Sequence, residues 1–253
     1  MEVVDEPFRP DGRRSREEME AMQHEIAAAA TVADDADLEP AAIRSGEAVV
    51  AGVDQAFLEE RAVSAAIALR GGEVIARAGA VSPLSIPYVP GLLSFREGEP
   101  ILAALESLEV EPDILVVDGS GRIHYREAGL ATHVGVCFDV PAVGVAKNLL
   151  CGRPHDPVDT LSEGARVPIA ADDSMAAPDD SMTALDGEVV GYAYQSRQYP
   201  NSTTVNPLYV SPGHRLSAAG AVDIVEVSGG EYKLPRPTRL ADRFADELKT
   251  KHG

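Results

Sequence analysis

The sequence predicts an α/β protein with a central mixed β-sheet flanked by helices. Three observations carry that reading. Two aliphatic runs, 62–70 and 73–81, meet at Gly71-Gly72, a tight-hairpin signal. The short continuous apolar run from Ile114 to Asp118 has the pattern of a strand covered on both faces. Around these, 14–30 and 97–108 carry apolar residues at helical spacing. With 253 residues and 45% hydrophobic content, the chain can bury one good core and is most simply a single domain.

Residues 1–13 are polar and charged and are expected to form a flexible acidic extension. A helix follows over 14–30, with Met19, Met22, Ile26 and Ala29/Ala30 on one face; the acidic linker Asp34-Asp35-Ala36-Asp37 ends it. Strands are expected over about 47–54, 62–70 and 73–81, then a helix from Glu97 to Leu108. The buried strand Ile114–Asp118, a helix near 128–137 and a strand near 142–147 complete a β-β-β-α-β-α-β order, which is the ribonuclease H-like arrangement. Periodicity gives that order but not the topology. The segment 153–187, rich in Asp, Ser, Pro and Ala, reads as a mobile acidic loop. Strands around 188–195 and 206–211 and a helix from Ser217 to about Glu226 close the domain, which spans 14–245 and leaves 246–253 as a C-terminal tail.

No apolar run approaches the ~18 residues a membrane span needs, and the acidic start Met1-Glu2-Val3-Val4-Asp5-Glu6 lacks an apolar signal core, so the expected location is the cytoplasm. Cys137 and Cys151 fit no metal-type spacing and are expected as buried reduced thiols. The net charge of -19 opposes a phosphate-gripping role, because such proteins usually carry a basic face. Yet only four lysines occur, Lys147, Lys233, Lys249 and Lys251, and lysine depletion under a large acidic excess is the mark of a halophile's solvated surface. At molar salt the Debye length is about 3 Å, so a remote acidic surface hardly repels a nucleic acid.

Asp54 ends one expected strand, Asp118 ends another, and Glu97 begins the helix between them, so all three carboxylates can reach one edge of the sheet. Such a hard, oxygen-rich set suits Mg²⁺, with Mn²⁺ able to substitute, better than zinc. The other reading is that each acid is a solvated residue at an element's end. Lys147, the only lysine before residue 233, lies at a strand end where it can hold a phosphate. Pro87-Tyr88-Val89-Pro90-Gly91 makes a stiff aromatic hairpin able to wedge a ring between stacked bases; the alternative is a tyrosine packed on its own domain.

The run Pro87-Tyr88-Val89-Pro90-Gly91-Leu92-Leu93-Ser94-Phe95-Arg96-Glu97 resembles the signature of the endonuclease V family, nucleases that recognise deaminated adenine as inosine. Ala51-Gly52-Val53-Asp54, Pro112-Asp113-Ile114-Leu115-Val116-Val117-Asp118-Gly119, Gly129-Leu130-Ala131-Thr132-His133, Gly144-Val145-Ala146-Lys147, Gly213-His214-Arg215-Leu216-Ser217 and Leu234-Pro235-Arg236-Pro237-Thr238-Arg239 also look like family blocks in family order. The resemblance runs from about Val49 to Asp242.

It implies a ribonuclease H-like fold and a Mg²⁺-dependent endodeoxyribonuclease of DNA repair, acting as a monomer. The implied cut is at the second phosphodiester bond 3′ to deoxyinosine, leaving a 5′-phosphate. Inosine-containing RNA is the alternative substrate, and a non-catalytic nucleic-acid-binding module the alternative class; intact Asp54, Glu97 and Asp118 argue against the latter. Asp54, Glu97 and Asp118 match the family's metal-binding acids, and His214 resembles a histidine beside that metal. Asp113 also matches, but it opens a strand at the end opposite Asp118 and reads as a structural turn. Gly119 and Gly121 would let backbone amides read the O6 and N7 acceptors of a flipped hypoxanthine, with Leu93, Gly129 and Leu130 lining the pocket and His124 at its rim. Ser120 stands where most family members carry histidine, which bears on base stacking rather than on backbone readout.

Overall fold

The structure, a computed structural model, describes residues 1–34, 38–175, 184 and 186–253. Its elements are α1 (Arg16–Ala29), α2 (Pro40–Ser45), β1 (Val49–Leu58), β2 (Arg61–Arg70), β3 (Glu73–Pro83), α3 (Leu93–Glu106), β4 (Ile114–Asp118), α4 (Leu130–Phe138) and β5 (Ala142–Ala146). These are followed by β6 (Arg153–Pro154), β7 (Arg166–Ala170), β8 (Val189–Tyr194), β9 (Leu208–His214), α5 (Ala218–Val227) and α6 (Arg236–His252). They build one mixed sheet in the order β3-β2-β1-β4-β5-β9-β8-β7-β6.

Strands β1 to β3 form an antiparallel meander, and β1, β4 and β5 run parallel. Gly71 and Gly72 both have positive φ, 55° and 82°, so the hairpin turn carries the twist of its strands without Cβ strain. Side chains alternate across β1: Val49, Ala51 and Val53 meet Ile101, Leu105 and Val134 of α3 and α4, while Val50 joins Ile67, Val116, Val222 and Ala241 on the other face. Helices therefore cover both sides of the parallel strands, which explains their unbroken apolar runs.

Gly52 is where α6 crosses the sheet: a Cβ there would lie 2.1 Å from the Pro237 carbonyl carbon. α6 was not expected from the sequence. The supposed tail 246–253 is its last turns, ending at His252, with Ala241 and Ala245 fully buried beneath it.

The amino terminus also departs from expectation, because residues 1–13 dock on the domain rather than trail from it. Val4 N–H donates to the Cys137 carbonyl at 2.9 Å, and the Arg9 guanidinium bridges Glu99 and Glu106 of α3 at 3.0 and 2.8 Å. Met1, Val3 and Phe8 pack against the core at the same place, so apolar contact and ion pairing act together.

The acidic loop expected over 153–187 contains two paired strands. Its hydrophobic residues, Val167, Ile169, Met175 and Ala184, are buried with Ile123 and Val190 in a small satellite core. Net composition hid these few apolar anchors. Residues 176–183 and 185 of that loop, and 35–37 of the acidic linker, lie outside the described residues. Both cysteines are buried free thiols, pushed up to about 12 by burial. Among the described residues no helix is long and apolar enough to cross a membrane.

Candidate active site

The parallel ladder between β1 and β4 ends at Val53 paired with Val117, so the next residues, Asp54 and Asp118, stand side by side where the two strands part. β1 does not end there. It continues to Leu58 paired with β2, which places Asp54 where β1 parts from β4 rather than at a strand terminus. Glu97 likewise does not begin a helix, since α3 starts at Leu93 and carries Glu97 in its second turn. The true start is the Val89–Leu92 turn, closed by Leu92 N–H to Val89 C=O at 3.0 Å, with Pro90 followed by Gly91 at φ 81°. Pro100 sits inside α3, so it was no guide to where the helix begins.

Gln55 ties the acids together. Its N–H donates to Asp54 Oδ1 at 2.7 Å, its Nε2 donates to Glu97 Oε2 at 3.0 Å, and its Oε1 accepts from Ser64 Oγ at 3.1 Å. Lys147 Nζ donates to Asp118 Oδ2 at 2.9 Å. Burial, reinforced by the Asp118 charge, raises Asp54 to about 8. Burial also raises Glu97 to about 7, with Arg96 opposing and Asp118 adding. Burial works against the Lys147 charge, but Asp118 outweighs it and the ammonium titrates above its ordinary value. Two carboxylates that repel each other in a partly dry site are a natural seat for a cation.

Asp54, Glu97 and Asp118, the three carboxylates expected at one ion, line one cleft. Among the described residues no three His, Cys, Asp or Glu side chains form a group able to hold a metal. Glu97 is held by Gln55 and has Arg96 at 3.7 Å. The donors that fit a cation are Asp54 and Asp118. A pair of carboxylates, with water or phosphate oxygens completing the shell, suits Mg²⁺, which commonly binds through one or two carboxylates.

These acids lie in a cleft of about 460 Å³ that also gathers Tyr88, Val89, Leu93, Gly119, Ser120, His124, Gly129, Leu130 and Lys147. Tyr88 is 66% exposed, so it is not packed on its own domain. His124 is buried and its imidazole is driven down to about 3, chiefly by burial, so it is neutral; its Nδ1 accepts the Arg126 N–H at 3.2 Å.

Pro87, Pro90 and Gly121 are not among the lining residues. Gly121 lies behind the loop, where a Cβ would meet the Pro212 carbonyl oxygen at 2.2 Å. The two glycine amides expected to read a base are already committed: Gly119 N–H donates to Val145 C=O at 3.1 Å and Gly121 N–H to Ser211 Oγ at 2.9 Å. Ser120 keeps an N–H with no partner among the described residues. Sequence reasoning missed Gln55, Ser94, Asn148, Leu149 and Leu150, which also line the cleft. For Gln55 a signal existed, adjacency to Asp54; for 148–150 it was the step past Lys147.

His214 is not brought to this site. It ends β9, which runs antiparallel to β5, and pairs with Ala142 at the edge opposite Val145 and Asp118. There its Nδ1 accepts the Thr31 N–H at 3.2 Å and its Nε2 bonds Asp139 Oδ1 at 2.9 Å, a tie between α1's exit and the sheet. Asp113 is structural as expected, its Oδ2 accepting the Val49 N–H at 2.7 Å.

A family model described as Endonuclease V matches residues 30–243. The endonuclease V of the haloarchaeon Natronomonas pharaonis is 68% identical over 253 residues, spanning 100% of this chain and 99% of that protein. The Bacillus subtilis Endonuclease_V crystal structure superposes with a TM-score of 0.81 at 28% identity, over 100% of this chain and 98% of that one. The Ciona intestinalis endonuclease V, crystallised with a 24mer DNA containing an inosine followed by a ribo-adenosine, gives a TM-score of 0.71 at 24% identity over 94% and 98% of the chains, a likeness of fold. The sheet and its flanking helices are thus the ribonuclease H-like fold of these neighbours. With the family model matched across nearly its whole sheet and a relative identical at two positions in three, this chain belongs to the endonuclease V family of nucleases.

Proposed function

We propose that the protein is a Mg²⁺-dependent endodeoxyribonuclease that recognises deoxyinosine and hydrolyses the second phosphodiester bond on its 3′ side, leaving a 5′-phosphate. The observation that carries this reading is the half-buried Asp54–Asp118 pair where β1 and β4 part, with Lys147 beside it and an exposed Tyr88 on the same cleft. The inosine-containing DNA bound by the Ciona neighbour supports the choice of lesion.

Asp54 and Asp118 would hold the cation, which when bound supplies charge neutralisation at the phosphate and a more acidic water. Glu97, buried and near 7, accepts the proton of the attacking water. Lys147, partly exposed beside Asp118, meets the phosphate oxygens as its contact to Asp118 is shared. Tyr88 on the Pro87–Pro90 hairpin fills the gap left by the flipped base. In the pocket, Leu93, Gly129, Leu130 and neutral His124 surround the base, and the free Ser120 N–H is a donor for its acceptors, the role first expected of the glycine amides.

The test is nicking of a duplex with one deoxyinosine, with Mg²⁺ and with EDTA, against a matched adenine duplex and the same sequence as inosine RNA. Mg²⁺-dependent cleavage of the deoxyinosine strand at the stated bond is the expected result. Equal cutting of the adenine duplex, or cleavage confined to RNA, would overturn it.

A further inference from the structure

A second depression opens on the far side of Lys147, with a volume of about 450 Å³, and it shares Lys147 and Asn148 with the cleft. Its walls include Lys233, Arg239, Tyr199, Tyr232 and Asn206, and among the described residues no aspartate or glutamate lines it. In a chain with 41 acidic residues against 22 basic ones, an acid-free concavity holding two of the four lysines is a pronounced local reversal of charge. The feature is assembled from four places: the end of β5, the connection from β8 to β9, the connection from α5 to α6, and the first turn of α6.

Neither Lys233 nor Arg239 has a carboxylate within ion-pair distance among the described residues. Lys147 and Lys233 face each other closely enough that, with burial acting first, the Lys147 charge helps lower the Lys233 pKa. The Arg239 guanidinium lies 4.1 Å from the centre of the Tyr232 ring. Tyr199 Oη accepts the Lys233 N–H at 3.3 Å, which fixes that ring against the same segment. Both rings stay exposed, Tyr199 at 46% and Tyr232 at 50%. Clustered cations call for an anion, and two half-exposed rings between them call for flat apolar faces. A nucleic-acid strand offers both in alternation. Stacking also survives molar salt, where phosphate attraction is weakened.

We infer that this groove carries the part of the nucleic-acid strand that flanks the cleaved bond, with bases on Tyr232 and Tyr199 and phosphates against Lys233 and Arg239. The inference rests on the nuclease reading for its placement next to the cut, but its binding chemistry can be measured apart from it.

Two assays decide it. In the first, deoxyinosine strands are shortened stepwise from either end and cleaved with Mg²⁺. The wild type should show KM rising once one particular side becomes too short to reach the groove. Tyr232→Ala should raise KM for the full-length strand about tenfold, the usual worth of one aromatic–base stack, and lose that length dependence while kcat holds. Tyr232→Phe should keep both. The second assay measures anisotropy of an undamaged single strand. Tyr232→Ala should weaken it about tenfold, and Lys233→Gln should flatten its salt dependence. Wild-type KM independent of length on both sides, or Tyr232→Ala binding the undamaged strand as tightly as wild type, overturns the groove. Strand binding lost in Tyr232→Ala, in a protein that does not cut inosine, would uphold the groove and sink the nuclease reading.

Discussion

Asp54→Asn should separate the two things its carboxylate does, and the pH dependence of folding should show it. The amide keeps the shape and still offers Oδ1 to the Gln55 N–H, but it cannot ionise. In the metal-free wild type, Asp54 titrates at about 8 instead of 3.8 because it is buried beside Asp118. The folded chain then holds a proton that the unfolded chain has released throughout the range between about 4 and about 8. Stability contributed by that proton is full below the unfolded pKa and is lost as pH rises through the folded one. Full ionisation costs at most on the order of 6 kcal/mol. Even a realised gain of about 2 kcal/mol for Asp54→Asn would raise Tm by roughly 4–8 °C in a protein of this size. Melts in EDTA from pH 5 to 9, at fixed high KCl, should show the variant overtaking wild type increasingly as pH climbs. Adding Mg²⁺ at pH 8 should stabilise the wild type and leave the variant unmoved, while cleavage falls about 10²-fold or more. Parallel melting curves across that pH range, or equal Mg²⁺ stabilisation of both proteins, would refute the account of the pair.

Tyr88→Ala should cost roughly 1–3 kcal/mol in binding a matched deoxyinosine duplex and less with a mismatched or single-stranded one, where unstacking is already done; equal losses on all three would remove the wedge. His214→Ala should lower Tm through about 1–3 kcal/mol of lost hydrogen bonding to Thr31 and Asp139, yet keep kcat within a few-fold under conditions where it is folded. A hundredfold loss of kcat without a change in melting would put this histidine back among the catalytic groups. Raising KCl toward 1–2 M should raise Tm and sustain cleavage, because the net charge of -19 repels itself and the substrate in dilute buffer. Activity that peaks at 50 mM KCl and falls steadily, with Tm unchanged, would show that the acidic excess is not a salt adaptation.

The sheet was legible because its signals are local. Gly71-Gly72 demands a tight turn, the run Ile114–Asp118 demands cover on both faces, and the helical stripe through Met19, Met22 and Ile26 needs only its own spacing. Elements whose signal is tertiary escaped: α6 looks polar along most of its length and is held by small residues, with Gly52 letting its start touch the sheet. The strand β7 hid in acidic composition because its burial depends on Ile123 and Val190, distant in sequence.

By itself the sequence determined the chemistry available, since the carboxylates, Lys147, the Pro-Tyr hairpin and the family blocks are matters of residue identity and order. Only the tertiary structure decided which of these groups meet. Asp54 and Asp118 come together because β1 and β4 part at the same rung, and Gln55 holds Glu97 by a hydrogen bond in the same cleft. The amides of Gly119 and Gly121 are spent inside the fold, on Val145 and Ser211. His214 lies at the wrong edge because β9 runs antiparallel to β5, a direction no residue in its own motif encodes. Strand direction and register are set by the whole sheet's burial of its two faces, so a motif can name a side chain's chemistry without fixing which end of the sheet it occupies.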